Sequence, residues 1–376
     1  MQVCVIGGGL AGTLLAWRLA GQPGVGSVLL APGVPGAADA TAASGGNVRA
    51  FEVDPAQRQL ALQSMAELAS DARLRDWSGF TGCGSLYLPA KAAGLAAAVA
   101  GINAVLAGSA SLVEAGQLAA AGWAGLAGDE LAVRERCAGY LDPHRFRRSV
   151  LADLAGRARV ELLPAGPVGE LTAGGCTLAG RRYVFDLGVI ATGAWTPAVL
   201  RASGLDTAGL ATKSIQYAIH RATGAPPTGF VDDRTELFGR PLPGDRLLLG
   251  LPTGGWAADP AGVPVDEALS ARAAELAITR FPALRLHAAE RPVTAVDCYA
   301  ESGLLQLRPV PETDGRLLTF TGGSGGAAKT ALAASRRAAT QLAGRGSSPA
   351  APPHHPVTLH EPELQPTLTE RSSITS

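Results

Sequence analysis

Residues 1–12, MQVCVIGGGLAG, decide the fold of this chain. The apolar run VCVI is typical of a buried parallel strand, and the following GGGLAG fits the pattern G-x-G-x-x-G and leads into a helical pattern. In such a turn Gly7 allows the tight bend, Gly9 lets the backbone approach a pyrophosphate, and Gly12 lets the helix pack on the strand. The order strand–turn–helix therefore predicts a dinucleotide site, with the pyrophosphate at the helix N-terminus.

The second predicted strand, residues 27–30, lacks the acidic residue that usually closes such a strand and binds the adenosine ribose. Residues 31–33 read APG instead. A missing ribose contact weighs more against NAD than against FAD, because FAD is anchored along its whole length. We therefore expect one FAD.

Composition limits the class of protein. The chain has 376 residues, is 47% hydrophobic and only 17% charged, and carries 32 basic and 32 acidic residues. Zero net charge without basic runs argues against a nucleic-acid surface, and no apolar stretch has the length of a membrane span. The first strand begins at residue 2, which predicts no signal peptide, and five scattered cysteines are typical of a reduced cytoplasm. We expect a cytoplasmic protein with a small-molecule substrate, and leave the oligomeric state open.

Later stretches extend the pattern. Residues 187–195, LGVIATGAW, predict a second buried strand with a glycine turn, and residues 321–329, TGGSGGAAK, predict a third turn before a last helix. Strands within residues 214–251, separated by Pro and Gly, predict an antiparallel sheet. Residues 344–376 are rich in Pro, Ser and Thr and predict a disordered tail.

Helical periodicity predicts further helices in the first half of the chain. The pattern favours one helix over residues 56–74. The Ala- and Leu-rich segment 92–131 also predicts helix, interrupted by glycines.

Six motifs occur in an order that resembles the family of FAD-dependent amino-acid oxidases, of the glycine oxidase and monomeric sarcosine oxidase type with the D-amino-acid oxidase fold. They are GGGLAG, SGGNVR, GCGSLYLP, GYLDP, VIATGAW and FTGGSGGAAK. The resemblance implies an α/β protein: a Rossmann-like FAD-binding domain and a second domain built on an antiparallel sheet. The first would comprise residues 1–83, 141–213 and 299–343, and the second residues 84–140 and 214–298.

The same resemblance implies a set of cofactor contacts along the whole dinucleotide. They are Gly7, Gly9, Leu10, Ala11 and Gly12 at the pyrophosphate, Val168 at the adenine, Ala191, Thr192, Gly193 and Trp195 beneath the dinucleotide, Ser44, Gly45, Gly46 and Asn47 beside the isoalloxazine ring, and Gly323, Ser324, Gly325, Gly326 and Lys329 over its other side.

Candidate catalytic residues follow from the same resemblance. Arg49 and Lys329 would place cations near the ring, and Lys329 would bind a substrate carboxylate. Arg291 resembles a carboxylate-binding stretch of glycine oxidase, although a salt bridge at a strand edge explains it as well. Cys298 is either a covalent flavin attachment or a buried thiol. Tyr217 is either a wall of the substrate pocket or part of the core.

Two positions depart from the family. Glu52 stands where sarcosine oxidase has a second carboxylate-binding cation, and Leu248 stands where it has the lysine thought to activate oxygen. The first departure argues against a simple amino-acid substrate, unless Glu52 faces solvent and Arg49 or Arg291 binds the carboxylate. The second predicts slow use of oxygen.

The sequence thus predicts a flavoenzyme that removes a hydride from the carbon beside an amine and leaves an imine. Two alternatives stay open. A flavin dehydrogenase of a 2-hydroxy acid would need a base, for which His220 is the candidate. A flavin-binding protein without turnover would tolerate the absence of the ribose-binding acid, of the second carboxylate-binding cation and of the lysine thought to activate oxygen. A tRNA-modifying relative of the same fold is disfavoured by the zero net charge.

Overall fold

A computed structural model describes residues 1–33, 39–207 and 209–345. Its helices are α1 (Leu10–Leu19), α2 (Pro55–Ser70), α3 (Ala72–Ser78), α4 (Leu95–Val105), α5 (Ala115–Ala120), α6 (Pro143–Ala155), α7 (Thr196–Ala202), α8 (Glu267–Arg280) and α9 (Ala327–Arg345). Its strands are β1 (Gln2–Ile6), β2 (Ser27–Ala31), β3 (Asn47–Val48), β4 (Thr81–Gly82), β5 (Ser85–Leu88), β6 (Ala110–Glu114), β7 (Leu131–Glu135), β8 (Gly139–Tyr140), β9 (Val160–Leu162), β10 (Val168–Thr172), β11 (Gly175–Leu178), β12 (Arg181–Val184), β13 (Leu187–Ile190), β14 (Ala211–Thr223), β15 (Gly229–Asp232), β16 (Leu237–Leu242), β17 (Arg246–Gly250), β18 (Arg285–Tyr299), β19 (Gln306–Pro309) and β20 (Leu317–Thr321).

A six-stranded sheet of order β19-β20-β13-β1-β2-β9 contains the N-terminal strand near its centre. β1 pairs in parallel with β2 on one side and with β13 on the other, and only the edge strand β19 runs antiparallel. From β1 the chain continues to β2 on one side, and the later strand β13 is placed on the other side. The turns after β1 and β13 therefore lie side by side at the carboxyl ends of these strands. This is the edge at which open α/β sheets bind ligands.

Helix α1 holds the N-terminal turn against the rest of the protein. Its side chains Leu14, Leu15 and Leu19 are fully buried, and the helix packs against α6 and α9. Burying a leucine side chain stabilises a fold by roughly 1.5–3 kcal/mol. The last helix therefore fixes the position of the first turn, although the two lie at opposite ends of the described chain.

The second large sheet has eight strands in the order β18-β14-β17-β16-β15-β5-β7-β6. Its pairings are antiparallel apart from β15 with β5, and the long strands β14 and β18 run side by side from Ala211↔Tyr299 to Thr223↔Arg285. A parallel Rossmann-like sheet together with an antiparallel sheet confirms the predicted α/β fold class.

Two helix predictions were wrong. The single helix over residues 56–74 is broken at Asp71, whose carboxylate accepts the backbone N–H groups of Arg73 and Leu74 and so caps a new helix. The Ala-rich segment 92–131 contains strand β6, which pairs with β7. Helix propensity is a weak signal that tertiary pairing overrides here.

The C-terminal helix α9 ends at Arg345, two residues into the predicted tail. The rest of that tail, residues 346–376, lies outside the described residues. In the described part, no helix combines the length and apolarity that crossing a membrane requires. The same residues contain no group of three or more His, Cys, Asp or Glu side chains arranged to hold a metal.

A buried ion pair between the second sheet and helix α8 generates a stability prediction. Asp232 Oδ2 lies 2.8 Å from Arg280 Nε, and both side chains are buried. We expect Asp232→Ala to lower the free energy of unfolding by about 3–5 kcal/mol, because it removes the nearer carboxylate from a buried guanidinium and leaves it only Glu130, at 3.8 Å. The matched control is Asp76→Ala, which removes the exposed pair with Arg145 and should cost about 0–1 kcal/mol. Equal losses in urea unfolding would contradict this prediction.

Candidate active site

A cavity of about 920 Å³ opens at the carboxyl edge of the parallel sheet and extends to β14 and β17. It is lined by these residues predicted from the sequence: Gly7, Gly9, Leu10, Ala11, Ser44, Gly45, Gly46, Asn47, Arg49, Val168, Ala191, Thr192, Gly193, Trp195, Tyr217, Leu248, Gly323, Gly325, Gly326 and Lys329. Five predicted residues do not line it: Gly12, Glu52, Arg291, Cys298 and Ser324.

The N-terminal turn is shaped by backbone contacts that exclude side chains. Gly7 has φ +125°, and a Cβ there would lie 2.3 Å from the carbonyl oxygen of Ala191. A Cβ on Gly12 would lie 2.0 Å from the carbonyl oxygen of Gly7. These two glycines therefore close the turn onto β13 and onto the start of α1.

The backbone of Gly9, unlike that of Gly7 and Gly12, does not itself require glycine. Its φ of −66° suits any residue, and an added Cβ would meet only Thr41 Oγ1, at 3.3 Å. Thr41 Oγ1 also accepts the backbone N–H of Leu10 at 3.0 Å. The space before Gly9 thus lies at the positive end of α1 and fits a phosphate, which a larger side chain would exclude.

Residues 44–46, the SGG loop, lie on another wall of the cavity, and their backbone is equally constrained. Gly46 has φ +69°, and a Cβ there would lie 2.0 Å from the carbonyl oxygen of Leu141. Leu141 N–H in turn donates to the carbonyl oxygen of Gly46 at 2.9 Å. The loop is therefore fixed against the segment before α6, and Gly45 presents its backbone to the cavity.

The third glycine loop is held by a carboxylate that the sequence analysis did not single out. Asp297 lines the cavity, and its two oxygens accept the backbone N–H groups of Cys298 at 2.8 Å and Gly325 at 3.0 Å. Burial raises the pKa of Asp297, although both hydrogen bonds favour the charged form. Ser324 turns away from the cavity, and its hydroxyl hydrogen-bonds the carbonyl oxygen of Ala300.

A cluster of three charges lies at the cavity wall. Glu52 Oε1 is 2.6 Å from Lys329 Nζ and 2.8 Å from an Arg49 terminal nitrogen. Arg49 and Lys329 line the cavity, whereas Glu52 is buried behind them. One carboxylate therefore neutralises half of the positive charge that these two side chains present.

Electrostatics keep Glu52 ionised. Burial raises its pKa, but the charges of Arg49 and Lys329 outweigh burial and hold the pKa below its usual range. Burial lowers the pKa of Lys329, and Arg49 lowers it further, so that Glu52 only partly restores it. Counted with all three side chains ionised, the cluster carries one net positive charge.

Neighbouring groups hold Arg49 in place. Glu135 is buried and accepts the backbone N–H groups of Ala50 and Phe51, each at 2.8 Å. The Arg49 guanidinium lies 4.9 Å from the centre of the Tyr87 ring, a cation–π distance. The loop that carries Arg49 is therefore fixed from both sides.

Three other candidates lie away from the cavity. Cys298 is fully buried and burial raises its pKa to about 11. Arg291 is exposed on β18, and its guanidinium lowers the pKa of Tyr217, which burial raises. His220 is buried, does not line the cavity, and has Nδ1 3.1 Å from the carbonyl oxygen of His287.

Comparison with known proteins gives one family match. Residues 2–341 match the model of the DAO family, described as FAD dependent oxidoreductase. No curated protein sequence matches the chain.

Several solved structures of oxidases and dehydrogenases share the fold. Glycine oxidase from Geobacillus kaustophilus is 18% identical with a TM-score of 0.70, covering 92% of this chain and 95% of its own. L-proline dehydrogenase from P. horikoshii is 16% identical with a TM-score of 0.75, covering 91% and 92%. Iminodiacetate oxidase from Chelativorans sp. BNC1 is 18% identical with a TM-score of 0.65, covering 93% and 97%.

The distinct environment of Gly9 makes it a test of the phosphate site. We expect Gly9→Val to fold, because its backbone φ is ordinary and only the Thr41 hydroxyl is near, but to lose dinucleotide binding. Circular dichroism measures the fold, and titration with FAD measures binding. The control is Gly101→Val in α4, where a Cβ meets nothing within 4 Å. Unimpaired FAD binding by Gly9→Val would show that the phosphate lies elsewhere.

Proposed function

The chain belongs to the DAO family of FAD-dependent oxidoreductases, and from this membership we propose that it oxidises the C–N bond of an amine-bearing small molecule to an imine. Bound FAD would supply the hydride acceptor. The observation that carries the proposal is the charge cluster of Arg49, Lys329 and Glu52, which lies at the wall of the same cavity as the N-terminal glycine turn.

The protein's part in this reaction is to bind and orient. Arg49 and Lys329 offer N–H donors to a polar group of the substrate. Tyr217 and Leu248 form another part of the cavity lining. The apolar Leu248, only 1% exposed, keeps water from that part of the wall. No general base is required if the substrate amine enters neutral. A 2-hydroxy acid dehydrogenase would need such a base, and His220 is not at the cavity.

We propose that FAD is bound without a covalent bond. Cys298 is the one attachment candidate from the sequence, and its neighbours Asp297 and Tyr299 line the cavity while Cys298 does not. Its thiol is fully buried and its pKa is raised, so little of it is the reactive thiolate. These observations support the reading of Cys298 as a buried thiol.

The division into two domains also remains a proposal. Every strand of the six-stranded sheet falls within residues 1–83, 141–213 and 299–343, the proposed FAD-binding domain. The strands of the eight-stranded sheet fall within residues 84–140 and 214–298, apart from the first residues of β14 and the last residue of β18. The segregation of the two sheets supports these boundaries.

The charge cluster also favours a substrate class. A free carboxylate is held best by two converging cations, but here Glu52 offsets one of them. Because Glu52 is buried behind the wall and already paired twice, it offers little to a second amine on the substrate. We therefore propose an amine whose carboxyl group is absent, esterified or otherwise tethered.

Matched substrates test this class directly. We expect proline methyl ester to reduce the bound FAD faster than proline, and sarcosine methyl ester faster than sarcosine, in anaerobic stopped-flow measurements. Glu52→Gln should improve the apparent affinity for proline and sarcosine by about tenfold or more, because it removes the negative charge that occupies Arg49 and Lys329. Both esters should respond little to the same substitution.

The control is Glu161→Gln, which changes an exposed carboxylate on β9. Efficient reduction by free proline or sarcosine that Glu52→Gln leaves unchanged would contradict the proposed role of Glu52. Reduction by free proline and sarcosine as fast as by their methyl esters would contradict the substrate class. FAD that binds but is reduced by none of these amines would favour the flavin-binding protein without turnover.

The position of Leu248 generates a prediction about the electron acceptor. After anaerobic photoreduction, we expect air to reoxidise the wild-type protein slowly, because Leu248 cannot stabilise the negative charge that forms on oxygen. Leu248→Lys should accelerate reoxidation about tenfold or more, whereas the volume control Leu248→Met should not. Wild-type reoxidation as fast as that of Leu248→Lys would show that another cation serves oxygen.

A further inference from the structure

Arg240 is a buried cation on β16 that the proposed function does not use. It is 8% exposed, and its Nε donates to the carbonyl oxygen of Gly45 at 2.8 Å. One terminal nitrogen lies 3.3 Å from the carbonyl oxygen of Pro241, and the guanidinium carbon lies 3.9 Å from the centre of the Tyr140 ring. Carbonyl oxygens and an aromatic face thus surround it.

The charge of Arg240 is not offset by a carboxylate. Arg49 and Lys329 share Glu52, but no Asp or Glu oxygen of the described residues forms an ion pair with Arg240 within 4.0 Å. A buried charge without an opposite charge carries a large desolvation cost. Burial lowers the pKa of Arg240, yet a guanidinium stays protonated at neutral pH.

The sheet places this charge directly behind the cavity wall. Arg240 pairs with Leu248 across β16 and β17, so both side chains point to the same face of the sheet. Leu248 and Gly45 line the cavity, and a Cβ on Gly45 would lie 3.4 Å from Leu248 Cδ1. Arg240 therefore contacts the cavity through the peptide of Gly45.

We propose that Arg240 is a positioning residue that holds the Gly45 peptide and adds positive potential at this wall, favouring the negative charge that reduction places on FAD. In the proposed reaction, the substrate C–H bond breaks and its hydrogen and electron pair move to FAD. The substrate is left as a cationic iminium, and the reduced cofactor gains one negative charge. This inference rests on the proposed function and on the position beside the flavin ring that the family resemblance implies for Gly45.

The inference can be tested without substrate. Sulfite adds to oxidised flavin and leaves it negatively charged, so its dissociation constant reports the local potential. Arg240→Lys keeps the charge, whereas Arg240→Gln keeps an N–H donor for Gly45 and removes the charge. The control is Arg246→Gln, because Arg246 is an exposed arginine on the adjacent strand β17.

We expect Arg240→Gln to bind FAD but to weaken sulfite binding by about tenfold or more, and to lower the reduction potential of the flavin. Arg240→Lys should retain most of the sulfite affinity, and Arg246→Gln should match the wild type. FAD-loaded Arg240→Gln with unchanged sulfite affinity and potential, or an equal loss in Arg240→Lys and Arg240→Gln, would overturn the electrostatic role. Wild-type protein that binds no FAD would instead overturn the proposed function and this inference with it.

Discussion

The close backbone approach at Gly7 and Gly12 is the constraint on which the rest of the structure depends. Side chains at these positions would lie 2.3 Å and 2.0 Å from backbone oxygens, so only glycine permits the turn. The turn brings the end of β1 against Ala191 after β13 and starts α1 at the cavity edge. Burial of α1 against α9 then fixes the last glycine loop near the first. One edge of the sheet thereby collects three backbone loops around a single elongated space.

Charge distribution gives this space its chemical character. Glu52 joins Arg49 and Lys329, which come from distant parts of the chain, and reduces their joint charge to one unit. Arg240, behind Gly45, forms no ion pair with a carboxylate in the described part of the chain, and Asp297 orders the last glycine loop through Gly325. Among the described residues, a carboxylate thus lies against the two cations that line the cavity, and none lies against the cation behind the SGG loop. Such a division suits a site that must accept negative charge on its cofactor more than on its substrate.

The sequence predicted the features whose residues are contiguous. Gly7 to Gly12 and the loop around Gly45 carry their own turn chemistry, and so the fold class and most residues that line the cavity could be inferred. The sequence favoured a Glu52 that faces inward, and the structure buries it. Its simultaneous pairing with Arg49 and Lys329 could not be predicted, because tertiary packing brings Lys329 to this position. The sequence also could not predict Arg240, which lies 195 residues from Gly45. Asp297 was missed because it lies on β18, whose mixed polar sequence gives no strong strand pattern.

We propose that this cavity holds one FAD without a covalent bond. The absorption spectrum of the purified protein, taken before and after acid precipitation, is the decisive measurement. We expect flavin absorption in the native protein and release of the flavin into the supernatant. Protein that is colourless and stays colourless after incubation with FAD would contradict the claim as a whole. Flavin that remains in the precipitate would contradict the non-covalent binding.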